Sequence, residues 1–167
     1  MVVVPNVDLE LSKNGDDFLT ESIIFSASDL FKAMRQLHEC DYHGGYLCIA
    51  DPKTGIPYLT LGLGQVMPEN WEKYLEFSME KARRLASHPE HISSAQSRND
   101  QANQWPGAIR TKKIIISFSG LPLEIDETYF LLLAHVLELI SMDEAREIAN
   151  ISGNNKFEEA VRLLFTN

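Results

Sequence analysis

The segment Asp51-Pro-Lys-Thr-Gly55, set between the apolar runs Tyr46–Ala50 and Ile56–Leu63, constrains this chain more than any other stretch. An Asp side chain bonds back to nearby amides, Pro presets φ, and Gly supplies a positive φ without a Cβ clash. Two apolar runs joined by such a turn read as an antiparallel hairpin. Tyr46–Ala50 is dense enough for an inner strand, and Gly62 and Gly64 suggest a bulge or a close backbone approach at the far end of the return strand.

The flanking segments predict helices that pack on this hairpin and on a second one. Residues 18–25 read as an opening strand with the β-branched pair Ile23-Ile24, and Ser26-Ala-Ser-Asp29 offers an N-cap for a helix over about 29–40. On that helix Leu30, Ala33, Met34 and Leu37 share one face, and Tyr42-His-Gly-Gly45 ends it. The clearest helix runs from about Glu69 to Ser87. Trp71, Tyr74, Leu75, Ser78, Met79, Ala82, Leu85 and Ala86 form its stripe, with Lys73, Glu76, Glu80, Arg83 and Arg84 opposite. Its small residues Ser78 and Ala82 would let it lie close to a sheet. Residues 88–107 are polar with few apolar anchors, which marks a functional or mobile loop.

Strands at 108–109 and 114–118 follow, with Arg110-Thr-Lys-Lys113 as the bend, and Ser119-Gly-Leu-Pro122 opens a helix over about 123–140. Tyr129–Ile140 is the longest apolar stretch and is interrupted by His135 and Glu138. A membrane span needs about 18 apolar residues, so this helix belongs in a core and no membrane is expected as partner. Ser141-Met-Asp-Glu144 is a capping box for a short helix, and a last helix carries Phe157, Ala160, Val161, Leu164 and Phe165. The order β-α-β-β-α-β-β-α predicts an α+β fold over residues 1–140, an antiparallel sheet flanked by helices, with a helical extension over 141–167.

Charge narrows the function classes. With 15 basic and 24 acidic side chains among 167 residues, the net charge is −9. A general nucleic-acid binder needs a positive field to collect phosphate, so nucleic acid is the wrong partner. Basic residues nevertheless gather at Lys81–Arg84 and Arg110–Lys113, enough to hold a small anion. Met1–Val4 is too short an apolar start for a signal peptide and lacks a basic flank. Cys40 and Cys48 make no disulfide framework. Both points lead to a cytoplasmic protein with reduced thiols.

Chemistry-bearing residues are sparse. His88-Pro-Glu-His91 has the spacing of paired ligands, although both histidines also suit the end of a helix, where the dipole favours them. His38 sits at the edge of an apolar face, placed to line a pocket or simply to sit at its boundary, and His135 reads as a boundary residue. Arg110 and Lys112 are candidates for binding a carboxylate; their plainer role is a solvated hairpin tip. Asp126 and Glu127 read as compensation for a helix dipole. No Gly-x-Ser-x-Gly elbow, activated cysteine or phosphate loop is present, so an enzyme is poorly supported.

The order of motifs resembles the haem-binding, glycolate-operon-protein-like family, which also includes the C-terminal domain of some corrinoid adenosyltransferases. The residues that carry the likeness are Tyr46–Asp51 with its glycine-containing turn, Ser78-Met-Glu-Lys81-Ala82-Arg83, and Ser119-Gly120-Leu-Pro122 with Asp126-Glu127. It spans about Ser26 to Ile140. Ile114–Ile116 stand where that family has a glycine-rich hairpin, and the last two helices fall outside its domain. The resemblance implies a helix-flanked antiparallel sheet, homo-oligomers, and haem or a related tetrapyrrole as ligand, without assigning a ligating residue. Two readings stay open: a non-catalytic small-ligand-binding protein, with His38, His88, His91, Arg110 and Lys112 as candidate contacts and any metal undetermined, or a protein-interaction module with no small ligand.

Overall fold

The computed structural model describes residues 17–38 and 43–165, the side chains of 17–22, 37 and 38 excepted. In chain order the elements are α1 (Asp17–His38), β1 (Gly44–Ala50), β2 (Pro57–Gly64), α2 (Trp71–Ala86), β3 (Ala108–Arg110), β4 (Ile115–Ser119), α3 (Leu123–Val136), α4 (Met142–Ser152) and α5 (Lys156–Phe165). The fold is α+β, with a four-stranded antiparallel sheet in the order β2-β1-β4-β3.

The turn after β1 forms as its chemistry requires. Asp51 Oδ1 accepts from the amides of Lys53 and Thr54 at 2.9 and 2.8 Å, and Oδ2 from the Tyr58 hydroxyl at 2.6 Å. These bonds, the one from Tyr58 foremost, hold the Asp51 carboxyl well below the usual carboxylate range. β1 then pairs on both sides, with Leu47 opposite Leu61 of β2 and Phe118 of β4.

Strand alternation sends different residue sizes to the two faces. Leu47, Ile49, Ile109, Ile116 and Phe118 meet α1 and α3 in the larger cluster, where Phe31, Phe118 and Tyr129 pack ring on ring with centroids 4.8–5.8 Å apart. The opposite face carries the smaller Cys48, Ala50 and Ala108 beside Ile115, under Ala82 and Leu85 of α2. Small residues on both sides bring α2 close enough for the Ser117 hydroxyl to donate to the Ser78 carbonyl at 2.6 Å. The expected close approach at Ser78 and Ala82 is therefore present.

Three expectations need correction. Residues 18–25 are helical, not a strand, and α1 runs unbroken through Ser26–Asp29. Ile23, Ala27, Phe31 and Met34 recur at helical spacing and are all buried, so the apolar period that begins before the supposed cap overrides the local β-branched pair. Residues 88–107 are not structureless: they hold 3-10 turns at Ser94–Ser97 and Asp100–Ala102, the first with a capping box from Ser93 and Gln96. Arg84, placed by its charge on the solvent side of α2, is buried, as is Lys81. The expected helix end at Tyr42 and the thiol of Cys40 lie outside the described residues.

α4 and α5 are packed into the main core. Ala145, Ile148, Ala149, Phe157, Ala160 and Val161 belong to the same cluster as the sheet residues. Ser141 and Glu144 form the capping box anticipated from sequence, and Gly153 closes α4 with φ +70°.

Candidate functional site

The start of α3 carries two buried carboxyl groups. Pro122 stands at its N-cap and offers no side-chain cap to the first amides. Asp126 and Glu127, adjacent in sequence, are both 2 % exposed and turn to different neighbours. Asp126 Oδ1 accepts from the Leu121 amide at 2.7 Å, which folds the chain back between β4 and α3, while Oδ2 lies 3.4 Å from Lys81 Nζ. Lys81 also donates to the Phe118 carbonyl at 2.7 Å. Burial pushes the Asp126 carboxyl up to about 7 against the pull of Lys81, and burial lowers the ammonium's affinity for its proton. Gly107 lies directly against Lys81: a Cβ there would be 2.6 Å from Nζ. The segments Ser78–Arg83, Ser119–Pro122 and Asp126-Glu127 thus meet at one junction of α2, β4 and α3, where Lys81 and Asp126 act as a structural tie.

Glu127 faces the other way, toward the link between α4 and α5. Its Oε2 accepts from the Ser152 hydroxyl and from Asn154 Nδ2, the latter at 2.9 Å. Asn154 is positioned by the left-handed Gly153 before it, and its Nδ2 also lies 2.9 Å from the Glu124 carbonyl. Glu127 Oε1 is buried and accepts from no described residue. Burial raises the Glu127 pKa, the bonds from Ser152 and Asn154 oppose the rise, and the nearby charge of Glu124 adds to it.

Glu127 borders a cleft of about 440 Å³ between the first turn of α3, the α4–α5 link and the 98–106 segment. Its walls are apolar at Pro106, Pro122, Leu123 and Ile125, and polar at Arg98, Glu124, Asn154 and Lys156. Arg98 is held by Asp100 at 2.5 and 2.8 Å, and Lys156 by Glu159 at 3.0 Å. That size and mixture suit a small molecule with an apolar body and polar ends.

Of the candidate contacts named from sequence, His88, His91, Arg110 and Lys112 do not line this cleft. His88 and His91 come together after α2, but as stacked rings with centroids 4.8 Å apart and planes 4° from parallel. A ligated ion lies in the plane of each imidazole that holds it, and two stacked parallel planes share no such point. His88 Nδ1 donates to the Arg84 carbonyl at 2.8 Å, and His91 Nε2 is 3.5 Å from Glu90. The geometry therefore does not fit a shared metal or a pair of axial haem ligands. Among the described residues no group of three or more His, Cys, Asp or Glu side chains is arranged to hold a metal ion.

Arg110 does not project from a hairpin tip. It is half-buried and donates to the carbonyls of Pro52, Leu85, His88 and His91, which leaves little of it for an anion. Lys112 is exposed in the bend, near enough to Glu144 to favour that carboxylate's charged form. His38 closes α1, and its side chain lies outside the described residues. Cys48 is buried, and burial pushes its thiol up to about 11, far from a nucleophile at neutral pH.

Sequence reasoning missed Glu127, Ser152 and Asn154 as a group. The available signal was Asn154 directly after a helix-ending glycine, since a short amide side chain there can reach back to a neighbouring helix. No helix among the described residues is long and apolar enough to cross a membrane. Comparison with models of known protein families, with curated proteins and with solved structures found no match to this chain.

Proposed function

We propose that this protein is a non-catalytic small-ligand-binding module and that the ligand sits in the cleft at the start of α3. The observation that carries the reading is the Glu127 carboxyl, 2 % exposed, bordering a cleft of about 440 Å³ with one oxygen that has no partner among the described residues. A buried polar atom without a partner costs about 1–3 kcal/mol, and a bound donor would remove that cost. A fragment screen by amide NMR tests it: hits should move the Leu123 and Glu124 amides and the Asn154 side-chain amide. A screen that includes neutral, charged and zwitterionic compounds and moves none of them overturns the reading. The tetrapyrrole form rests on the sequence resemblance and draws no support from the stacked histidines. A hemin titration decides it: a visible band lost in His88→Ala and His91→Ala supports haem, and an unchanged spectrum removes it.

A second reading, self-association, is favoured by β2. Its outer edge pairs with no strand among the described residues, and Ile56 and Tyr58 beside it are exposed. No charged side chain occurs from Thr54 to Pro68 in a chain of net charge −9. Monomers usually guard such an edge with charge, and an uncharged edge lets two like-charged copies meet. Light scattering should give a dimer mass for the wild type and a monomer mass for Thr60→Lys; a monomeric wild type refutes the interface.

A further inference from the structure

The polar groups around the cleft are of both signs, and this restricts what it can hold. Glu127 Oε1 has no partner among the described residues, and Glu124 lines the same cleft as Glu127. An anion alone would meet both carboxylates. The other polar groups call for an acceptor. The first amides of α3 have no side-chain cap, and the positive end of the helix dipole lies with them. Arg98 uses Nε and one terminal nitrogen on Asp100, which leaves its other terminal nitrogen, and Lys156 keeps ammonium hydrogens beyond the one given to Glu159. A cation alone would meet these. Between the two sets lie Pro106, Pro122, Leu123 and Ile125, which can cover an apolar side chain but bond to nothing.

We infer that the ligand is a free amino acid or a zwitterion of the same kind. Its ammonium lies toward Glu127 and Glu124, its carboxylate toward the start of α3 with Arg98 and Lys156, and its side chain against the prolines, Leu123 and Ile125. The inference rests on the cleft-binding reading above and adds to it the class of ligand.

The test uses the full chain and the twenty common L-amino acids, followed by amide NMR beside the neutral fragments of that screen. The best amino acid should move the Leu123 and Glu124 amides and the Asn154 side-chain amide. Its deaminated acid and its decarboxylated amine should each bind at least tenfold more weakly, because each leaves one set of charges unanswered. Glu127→Gln should weaken the amino acid about tenfold while keeping a dispersed amide spectrum. Should that variant fail to fold, Lys156→Ala at the cleft's surface should weaken the amino acid and its deaminated acid and spare the decarboxylated amine. An analogue that binds as well as the amino acid overturns the zwitterion and leaves small-ligand binding standing. The same holds if neutral fragments move the cleft and no amino acid does. If neither amino acids nor fragments move it, both readings fall.

Discussion

Glu127 is asked to keep a carboxyl where water scarcely reaches, and its pH dependence follows. Burial raises its folded pKa above the ordinary 4.5, with Ser152 and Asn154 opposing. A group raised in this way contributes stability that is fully present below the ordinary value and is lost as pH rises through the folded one. Glu127→Gln keeps the shape and cannot ionise, so its melting temperature should gain on the wild type between pH 4 and pH 8. An equal difference at both pH values would show that the carboxyl does not titrate in that range. The Lys81–Asp126 pair behaves differently, because the two buried groups are each other's ion-pair partner, although Glu80 and Arg84 also act on Lys81. Asp126→Asn or Lys81→Met should each cost about 3–5 kcal/mol in denaturant unfolding, whereas Lys81→Met with Asp126→Leu should cost clearly less than their sum. Additive losses would mean that the two residues do not depend on each other. These residues explain what was hidden in the sequence. Lys81 and Arg84 occupy helix positions whose neighbours are set only when Phe118, Asp126 and the 94–105 segment arrive, so Arg84 read as outward and Lys81 gave no sign of its burial.

Elements with local signals were legible, and elements held by distant partners were not. The hairpin around Asp51, the stripe of α2 and the capping box at Ser141 each carry their signal within one or two adjoining elements, and all three formed, except that Trp71 at the head of the stripe is exposed. α1 misled because its β-branched pair is local, whereas the burial of Ile23 through Met34 is settled by α3 and the sheet. The 88–107 segment misled for a related reason. Its order comes from Arg84, which donates to the carbonyls of Ser94 and Ser97 at 2.9 and 3.0 Å and to that of Trp105 at 2.5 Å. Arg84→Met should remove these bonds, each charge-assisted and worth about 1.5–3 kcal/mol at most. Limited proteolysis should then cut within 88–107 before the rest of the chain unfolds. Cleavage there at the wild-type rate would refute this account.

For the whole molecule, the helical extension and the sheet share one interior. Phe157 is 1 % exposed, and Ala145 and Ala160 are fully buried against α3. Deleting residues 141–167 would therefore expose the back of α3 along with the Glu127 carboxyl. The shortened chain should lose its cooperative unfolding transition, a loss greater than any single large-to-small core change of about 2–5 kcal/mol. A truncated chain that melts as sharply as the full one would show that the extension is a separate unit. The same geometry makes the candidate cleft a property of the complete chain, because its walls come from α3, from the α4–α5 link and from the segment ordered by Arg84.

The guanidinium of Arg110 has a corresponding effect on motion. One side chain at the end of β3 holds carbonyls from the first hairpin's turn, from the last residues of α2 and from the start of the 88–107 segment. None of these can swing away without releasing bonds to the others, so they form one breathing unit rather than three. In hydrogen exchange, the protected amides around Gly55, His88 and Arg110 should open at a common rate, and Arg110→Ala should split that rate into separate ones.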